Sequence, residues 1–280
     1  MEYSYDQRKY ADNVVRLARR LGVNLNLKKP VTFQDKLNWL NLYHPMKLKC
    51  KCADKILLHE YCKEKIGEDL CIPIIDVYNS VNEIKWFGLP EKFVMKCNHG
   101  SGMNIIVNDR NQMDVAGSIK KLEKWMATDY AFFHGGCEAH YHDIKRKIFI
   151  ETNMCDEMRT SPADYKFFCF NGEPKFVLSV KDIGSFYNYC FYDTSYNVMS
   201  LERTERNYIR KTDVAQKPNN FDKMINYCRK LSSPFKFVRC DFYEINNRVY
   251  LGELTFVPTM GIFHYKDRND EKRIGDLLKL

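Results

Sequence analysis

The stretch Lys96-Cys97-Asn98-His99-Gly100-Ser101-Gly102-Met103-Asn104 closes one apolar run, Lys92-Phe93-Val94-Met95-Lys96, and opens another, Ile105-Ile106-Val107. The pattern is strand, glycine-containing turn, strand. Glycines let a backbone approach phosphate oxygens and aim its N–H groups at them, and a lysine at the strand end adds a point charge. The run is not a Walker A loop, because no Gly-Lys-Ser or Gly-Lys-Thr follows. An ordinary hairpin turn would have the same composition.

Toward the C-terminus, Lys147 to Glu151 and Tyr165 to Phe170 read as strands. The turn Asn171-Gly172-Glu173-Pro174 leads into Phe176-Val177-Leu178-Ser179-Val180 as a hairpin. A helix is expected over Phe221 to Leu231, and a second hairpin joins Phe235 to Tyr243 with Arg248 to Phe256 through Asn246-Asn247. Residues 116 to 127 carry Ile119, Leu122 and Trp125 on one helical face. Toward the N-terminus, residues 1 to 45 read as helical. Thr32 and Asp35 approximate a capping box ahead of Leu37, and Gly67 ends a helix that opens at Asp54. Helices mixed with antiparallel hairpins predict an α+β protein. Its expected divisions are a helical region 1–50, a first subdomain 51–150 with the glycine loop, and a second subdomain 151–280.

Three further groups carry potential chemistry. Arg239-Cys240-Asp241 and Gly252-Glu253-Leu254-Thr255 lie on partner strands. Two carboxylates and a hydroxyl there could supply oxygens to Mg²⁺, or Arg239 could simply pair with the acids. The neighbouring Phe235, Phe237, Val238 and Phe242 make an unpaired carboxylate costly, so a cation is expected either way. Asp54-Lys55 opens a helix, where an acid is often only a cap. Ile148-Phe149-Ile150-Glu151 and Asp164-Tyr165-Lys166-Phe167-Phe168 could meet a purine edge and ribose hydroxyls, or be plain strand-end charges.

Composition narrows the rest. The 280 residues are 45% hydrophobic and 29% charged, an ordinary folded composition. A formal charge of +8 favours an anionic partner without choosing among nucleotide, glycan, membrane and nucleic acid. The densest basic stretch, Lys47 to Lys55, reads as a solvated face. Eleven cysteines without a regular framework fit reduced thiols. Neither Cys50 with Cys52 nor His134, Cys137, His140 and His142 has structural-zinc spacing. No window is long and apolar enough to span a bilayer, the N-terminus lacks a signal-peptide core, and a cytoplasmic location is expected. No helix-turn-helix, zinc finger or RNP signature points to nucleic acid.

In order along the chain, Lys55, Lys96 with its glycine loop, Glu151, Asp164, Arg239, Asp241, Glu253 and Thr255 resemble the ATP-binding framework of the ATP-grasp superfamily. The runs Lys96 to Gly102, Asp164 to Gly172 and Gly252 to Phe256 look more narrowly like the teichuronopeptide-biosynthesis-type (TupA-like) ATP-grasp family, over roughly residues 30 to 280. The resemblance implies two α+β subdomains clasping ATP. Lys55 and Lys96 would hold the α- and β-phosphates. The loop residues Asn98, His99, Gly100, Ser101, Gly102 and Asn104 belong to the same site, with the backbone of Gly100 to Gly102 closing over the β- and γ-phosphates. Glu151 would line the adenine pocket and Asp164 would reach the ribose, with Lys166 among the nucleotide-binding residues. Asp241, Glu253 and Thr255 would bind Mg²⁺, the threonine standing where D-alanyl-D-alanine ligases carry asparagine. Arg239 and Lys96 would act catalytically on the transferring phosphoryl group.

The implied activity is carboxylate–amine ligation through an acyl phosphate, joining an amino acid or other amine to a uronic acid of a surface polysaccharide. A glycosyltransferase of polysaccharide assembly is the alternative, although the chain has no Asp-x-Asp. An ATP-grasp kinase, which would stop at phosphorylation, is another. Many ATP-grasp enzymes carry a Rossmann-like domain before the first phosphate lysine; here 54 residues that read as helical precede Lys55, so the substrate-binding part is expected to be abbreviated or supplied differently.

Overall fold

A computed structural model describes residues 6–133, 137–154, 162–182, 185–205 and 207–280. Its helices are α1 (Ala11–Arg20), α2 (Phe33–Tyr43), α3 (Lys47–Ala53), α4 (Leu57–Ile66), α5 (Val115–Ala127), α6 (Phe221–Ser232) and α7 (Asn269–Leu277). Strands β1 (Ile74–Tyr78), β2 (Phe93–Cys97), β3 (Asn104–Val107) and β4 (Ile148–Thr152) form an antiparallel sheet in the order β1-β4-β2-β3. Strands β5 (Asp164–Phe170), β6 (Glu173–Asp182), β7 (Tyr187–Asp193), β8 (Tyr208–Arg210), β9 (Phe237–Ile245) and β10 (Arg248–Thr255) form a second sheet, ordered β10-β9-β5-β6-β7-β8. The fold is α+β, as the sequence implied.

Local chemistry explains most boundaries. The Thr32 hydroxyl accepts from Asp35 N while the Asp35 carboxylate accepts from Thr32 N, a complete capping box at α2. Gly67, at φ 92°, ends α4 in the left-handed conformation that glycine adopts without strain. Asn171 and Gly172 both have positive φ, as do Asn246 and Asn247, so both hairpins close through left-handed two-residue turns.

The six-stranded sheet buries both faces. Cys240, Phe242 and Val238 on one face pack with Met224, Cys228 and Leu231 of α6. On the other, Phe168, Phe176 and Phe237 pack with Phe33 and Leu37 of α2 and Ile274 of α7. Each fully buried phenylalanine contributes roughly 1.5–3 kcal/mol. Helix α2 is therefore part of this sheet's core. The basic run also departs from a purely solvated face, since it forms α3, in which Lys49 is buried and its Nζ donates to His44 O at 3.1 Å. The ten described cysteines are free thiols, nine of them buried. His134 lies outside the described residues; His140 is buried against Tyr141 and Phe256, and His142 pairs with Asp129 at 2.6 Å. Among the described residues, no helix is long and apolar enough to cross a membrane.

Candidate active site

Strand periodicity places the polar residues. In β2 and β4, Phe93, Met95, Cys97, Ile148 and Ile150 are buried in the core. The alternate positions face the other way, and the register Val94↔Glu151 and Lys96↔Asn104 puts Val94, Lys96, Asn104 and Glu151 on one face. In the larger sheet, Lys166↔Asp241, Glu253↔Asp241 and Thr255↔Arg239 likewise share a face. That face is apolar at one end, where α2 and α7 cover it, and charged at the other.

The charged end and the first sheet bound a cleft of about 340 Å³. Lys55, Lys96, Ser101, Gly102 and Asn104 line one side with Glu151, and Asp164, Lys166, Asp241 and Glu253 line the other. Residues from both halves of the chain thus meet at one place.

Glu253 reaches this face through a bulge. Leu251 pairs with Phe242 and Glu253 with Asp241, leaving Gly252 as the extra residue. In a regular strand Glu253 would share the core-facing side of Leu251; the bulge re-aims it at the cleft. A Cβ on Gly252 would lie 2.7 Å from the Tyr243 ring, so glycine also admits that ring over the bulge.

The charges form one network. Arg239 donates from Nε to Asp241 Oδ1 at 2.7 Å and from Nη2 to Asp241 Oδ2 at 2.5 Å. Lys166 Nζ lies 3.1 Å from Asp241 and 3.0 Å from Asp164. Arg239 Nη2 also approaches Glu253 Oε1 at 3.4 Å and Thr255 Oγ1 at 3.2 Å, and the Thr255 hydroxyl donates to Glu253 Oε1 at 3.0 Å. Burial lifts the Asp241 carboxyl above its ordinary value, with Arg239 and Lys166 opposing the rise. Burial would also raise Glu253, but Lys55, Arg239 and Lys166 more than offset it and hold that carboxyl at about 2. Burial works against a charged Lys166, yet Asp241 and Asp164 raise its pKa. The Lys96 ammonium is ion-paired with Glu151.

The Asp54 carboxylate caps α4, accepting from Ile56 N and Leu57 N at 2.9 and 3.3 Å. Lys55 turns instead to the glycine loop, where its Nζ donates to Gly100 O at 2.6 Å. Burial depresses its pKa. Of the loop residues, Ser101, Gly102 and Asn104 line the cleft; Asn98, His99 and Gly100 do not. The Asn98 side chain donates to Lys145 O at 3.0 Å and accepts from Lys147 N at 2.8 Å, bracing β2 against the entry to β4. His99 Nε2 is 3.0 Å from Trp125 O, tying the loop to α5. Gly100 packs so closely on Tyr130 that a Cβ would fall 2.6 Å from the ring. Their buried positions assign Asn98 and His99 to shaping the turn. Arg239 and Thr255 sit beside the cleft wall, where they hold Asp241 and Glu253. The Tyr130 ring, packed on Gly100 behind the loop, was not legible as a support of the site, because nothing in a lone tyrosine marks it.

The donor set suits a hard divalent cation. Asp241 and Glu253 are adjacent in register, both contacts of Glu253 use Oε1, and Asp164 Oδ1 is buried without a hydrogen-bond partner among the described residues.

Comparison with known proteins matches the sequence to the TupA-like ATPgrasp family over residues 35–279. No curated protein matches it significantly. Similar solved structures include D-alanine–D-alanine ligase from Bacillus anthracis complexed with ATP, at 13% identity and TM-score 0.43, covering 75% of this chain and 55% of that one. The ATP-grasp ligase PsnB complexed with a minimal precursor is 10% identical with TM-score 0.41, covering 77% and 55%. C-terminally truncated Cdc123 from Schizosaccharomyces pombe is 8% identical with TM-score 0.40, covering 75% and 86%. The chain spans about half the length of the ligases it matches.

Proposed function

The chain belongs to the TupA-like ATPgrasp family, and on that premise we propose that it is an ATP- and Mg²⁺-dependent carboxylate–amine ligase. The proposed substrates are a uronic acid of a surface polysaccharide and an amino acid or other amine. The observation that carries the reading is the meeting of Lys55, Lys96 and Lys166 with Asp241 and Glu253 in one cleft between the two sheets. The uronate rests on the family resemblance and on the net charge of +8.

In this reading the two first-sheet lysines take the phosphates. Each already has a partner a phosphate oxygen could replace: Gly100 O for Lys55 and the Glu151 carboxylate for Lys96. Ser101 and Gly102 present the loop to the phosphates, Glu151 and its neighbours line the adenine end, and Asp164 reaches the ribose. Asp241 and Glu253, with Thr255 behind them, would hold Mg²⁺, which when bound lowers the charge on the phosphate oxygens. Arg239, fixed by Asp241 and Thr255, is set to meet charge on the transferring phosphoryl group.

A carboxylate oxygen then attacks the γ-phosphorus and ADP departs, leaving an acyl phosphate. Bound residues contribute alignment and charge stabilisation rather than a nucleophile. Amine attack on the acyl carbon expels phosphate, and loss of the amine proton completes the amide.

The test incubates the purified chain with ATP, Mg²⁺, a glucuronate or galacturonate oligosaccharide and an amine panel. The reading expects ADP, free phosphate and amide in equal amounts. Phosphate retained on the glycan would instead identify a kinase. Turnover of a nucleotide sugar without ATP would identify a glycosyltransferase.

A further inference from the structure

Beside the acid–lysine network, on a wall of the cleft that His59 and Cys71 help to line, one group of side chains brings nitrogen, oxygen and sulfur ligands together. His59 and Cys62 stand one turn apart on α4. Gly67 then reverses the chain and returns Asp69 and Cys71 to the helix. A ring nitrogen of His59, a carboxylate oxygen of Asp69 and the Cys71 sulfur all lie within 4.8 Å of one another. His59 Nδ1 is 2.9 Å from Asp69 Oδ2, and Cys62, one helical turn on from His59, accepts at 3.5 Å from the backbone N of Leu70, the residue before Cys71.

We propose that His59, Asp69 and Cys71 form a Zn²⁺ site, closed by the nearby Cys62 as fourth ligand, that ties α4 to the segment leading into β1. Zn²⁺ takes four such ligands in closed structural sites, and thiolates favour it over Mg²⁺ or Ca²⁺. The backbone already orients two of them: Cys71 N donates to Asp69 Oδ1 at 3.0 Å, and Leu70 N donates to Cys62 Sγ at 3.5 Å. Two thiolates, a carboxylate and a neutral imidazole around a divalent ion leave one negative charge. Lys63 Nζ, 3.5 Å from Asp69 Oδ2, offsets it.

The position gives the ion a consequence. Helix α4 follows Lys55 directly, while Cys71 bridges Leu251, two residues before Glu253, and Leu251 N donates to Leu70 O at 2.8 Å. A bound ion would fix the spacing between a phosphate lysine and the metal hairpin. The second thiol group, Cys169, Cys228 and Cys240, is wholly buried and has no nitrogen or oxygen ligand in it, so it serves as a control.

The site can be tested with metal alone. Reduced, chelator-stripped protein is titrated with Co²⁺, whose thiolate charge-transfer and tetrahedral ligand-field bands report this coordination, and Zn²⁺ is then added to displace it. One equivalent is expected. Cys62→Ser and Cys71→Ser should each weaken Zn²⁺ binding at least about tenfold, while Cys228→Ser leaves the bands unchanged. Absence of the bands from the wild-type protein, or their survival in the Cys62→Ser/Cys71→Ser double variant, overturns the proposal. Far-ultraviolet circular dichroism confirms that each variant is folded, and the wild-type titration decides the matter even where a variant is not.

Discussion

Asp241→Asn and Glu253→Gln make a discriminating pair, because both remove a carboxylate from the proposed Mg²⁺ site but have different structural costs. Asp241 is 1% exposed and accepts two bonds from Arg239 and one from Lys166. Removing its charge leaves a buried guanidinium short of its main partner, which typically costs about 3–5 kcal/mol. Asp164 keeps Lys166 paired at 3.0 Å, so the lower end of that range applies. The Glu253 side chain accepts from Thr255 at 3.0 Å, and Lys55, Arg239 and Lys166 favour its charge, but it is 28% exposed and lies 3.4 Å from Arg239, so after solvent screening its loss should cost about 1 kcal/mol. Urea unfolding followed by tryptophan fluorescence should place the Asp241→Asn midpoint about 1–2 M below wild type and the Glu253→Gln midpoint within about 0.5 M of it. Both variants should lose Mg²⁺-dependent ADP release. Equal stability of the two variants would refute the reasoning, since Arg239 would then not depend on Asp241.

Three other outcomes follow from the geometry. Gly100→Ala, whose Cβ would meet the Tyr130 ring at 2.6 Å, should displace the loop and raise the KM for ATP with a smaller change in stability, measured by initial rates over a range of ATP concentrations. Thr255→Val removes the hydroxyl between Arg239 and Glu253; turnover should fall while the Mg²⁺ concentration for half-maximal rate stays near wild type, because the hydroxyl is committed to Glu253. Burial holds the His140 pKa down at about 3, so its neutral form is favoured by folding. That stability is fully present above the unfolded value of about 6.5 and is lost toward pH 3, at up to about 1.4 kcal/mol per pH unit. In urea titrations between pH 6.5 and 5, His140→Phe should flatten the slope.

Much of the fold was legible because its signals are local. The Thr32 box, Gly67 and the two hairpin turns each act within four residues, and each appears where the sequence placed it. Strands β1, β7 and β8 were less legible. Three of the five β1 residues are exposed, and β8 is a three-residue parallel edge, so their pairing depends on distant partners rather than on their own pattern. In the site, alternation alone would send Glu253 to the core side of Leu251; Gly252 was the visible sign of the bulge that redirects it. Asn98 and His99 read as loop residues by position, yet their partners, Lys145, Lys147 and Trp125, lie 26 to 49 residues away. The His59, Cys62, Asp69 and Cys71 group escaped notice because its spacing matches no familiar zinc motif and only the turn at Gly67 folds it together.

Joint binding of Mg²⁺ and nucleotide in the cleft between the sheets can be measured by thermal unfolding with a non-hydrolysable ATP analogue, with and without Mg²⁺. At a ligand concentration about 100-fold above Kd, binding stabilises by about 2.7 kcal/mol, which for a chain of this size raises Tm by about 5–10 °C. That rise is expected for the wild-type protein only when Mg²⁺ is present, and it should disappear in both Lys96→Met and Glu253→Gln. No rise in the wild type, or an equal rise in the two variants, would contradict joint binding in the cleft.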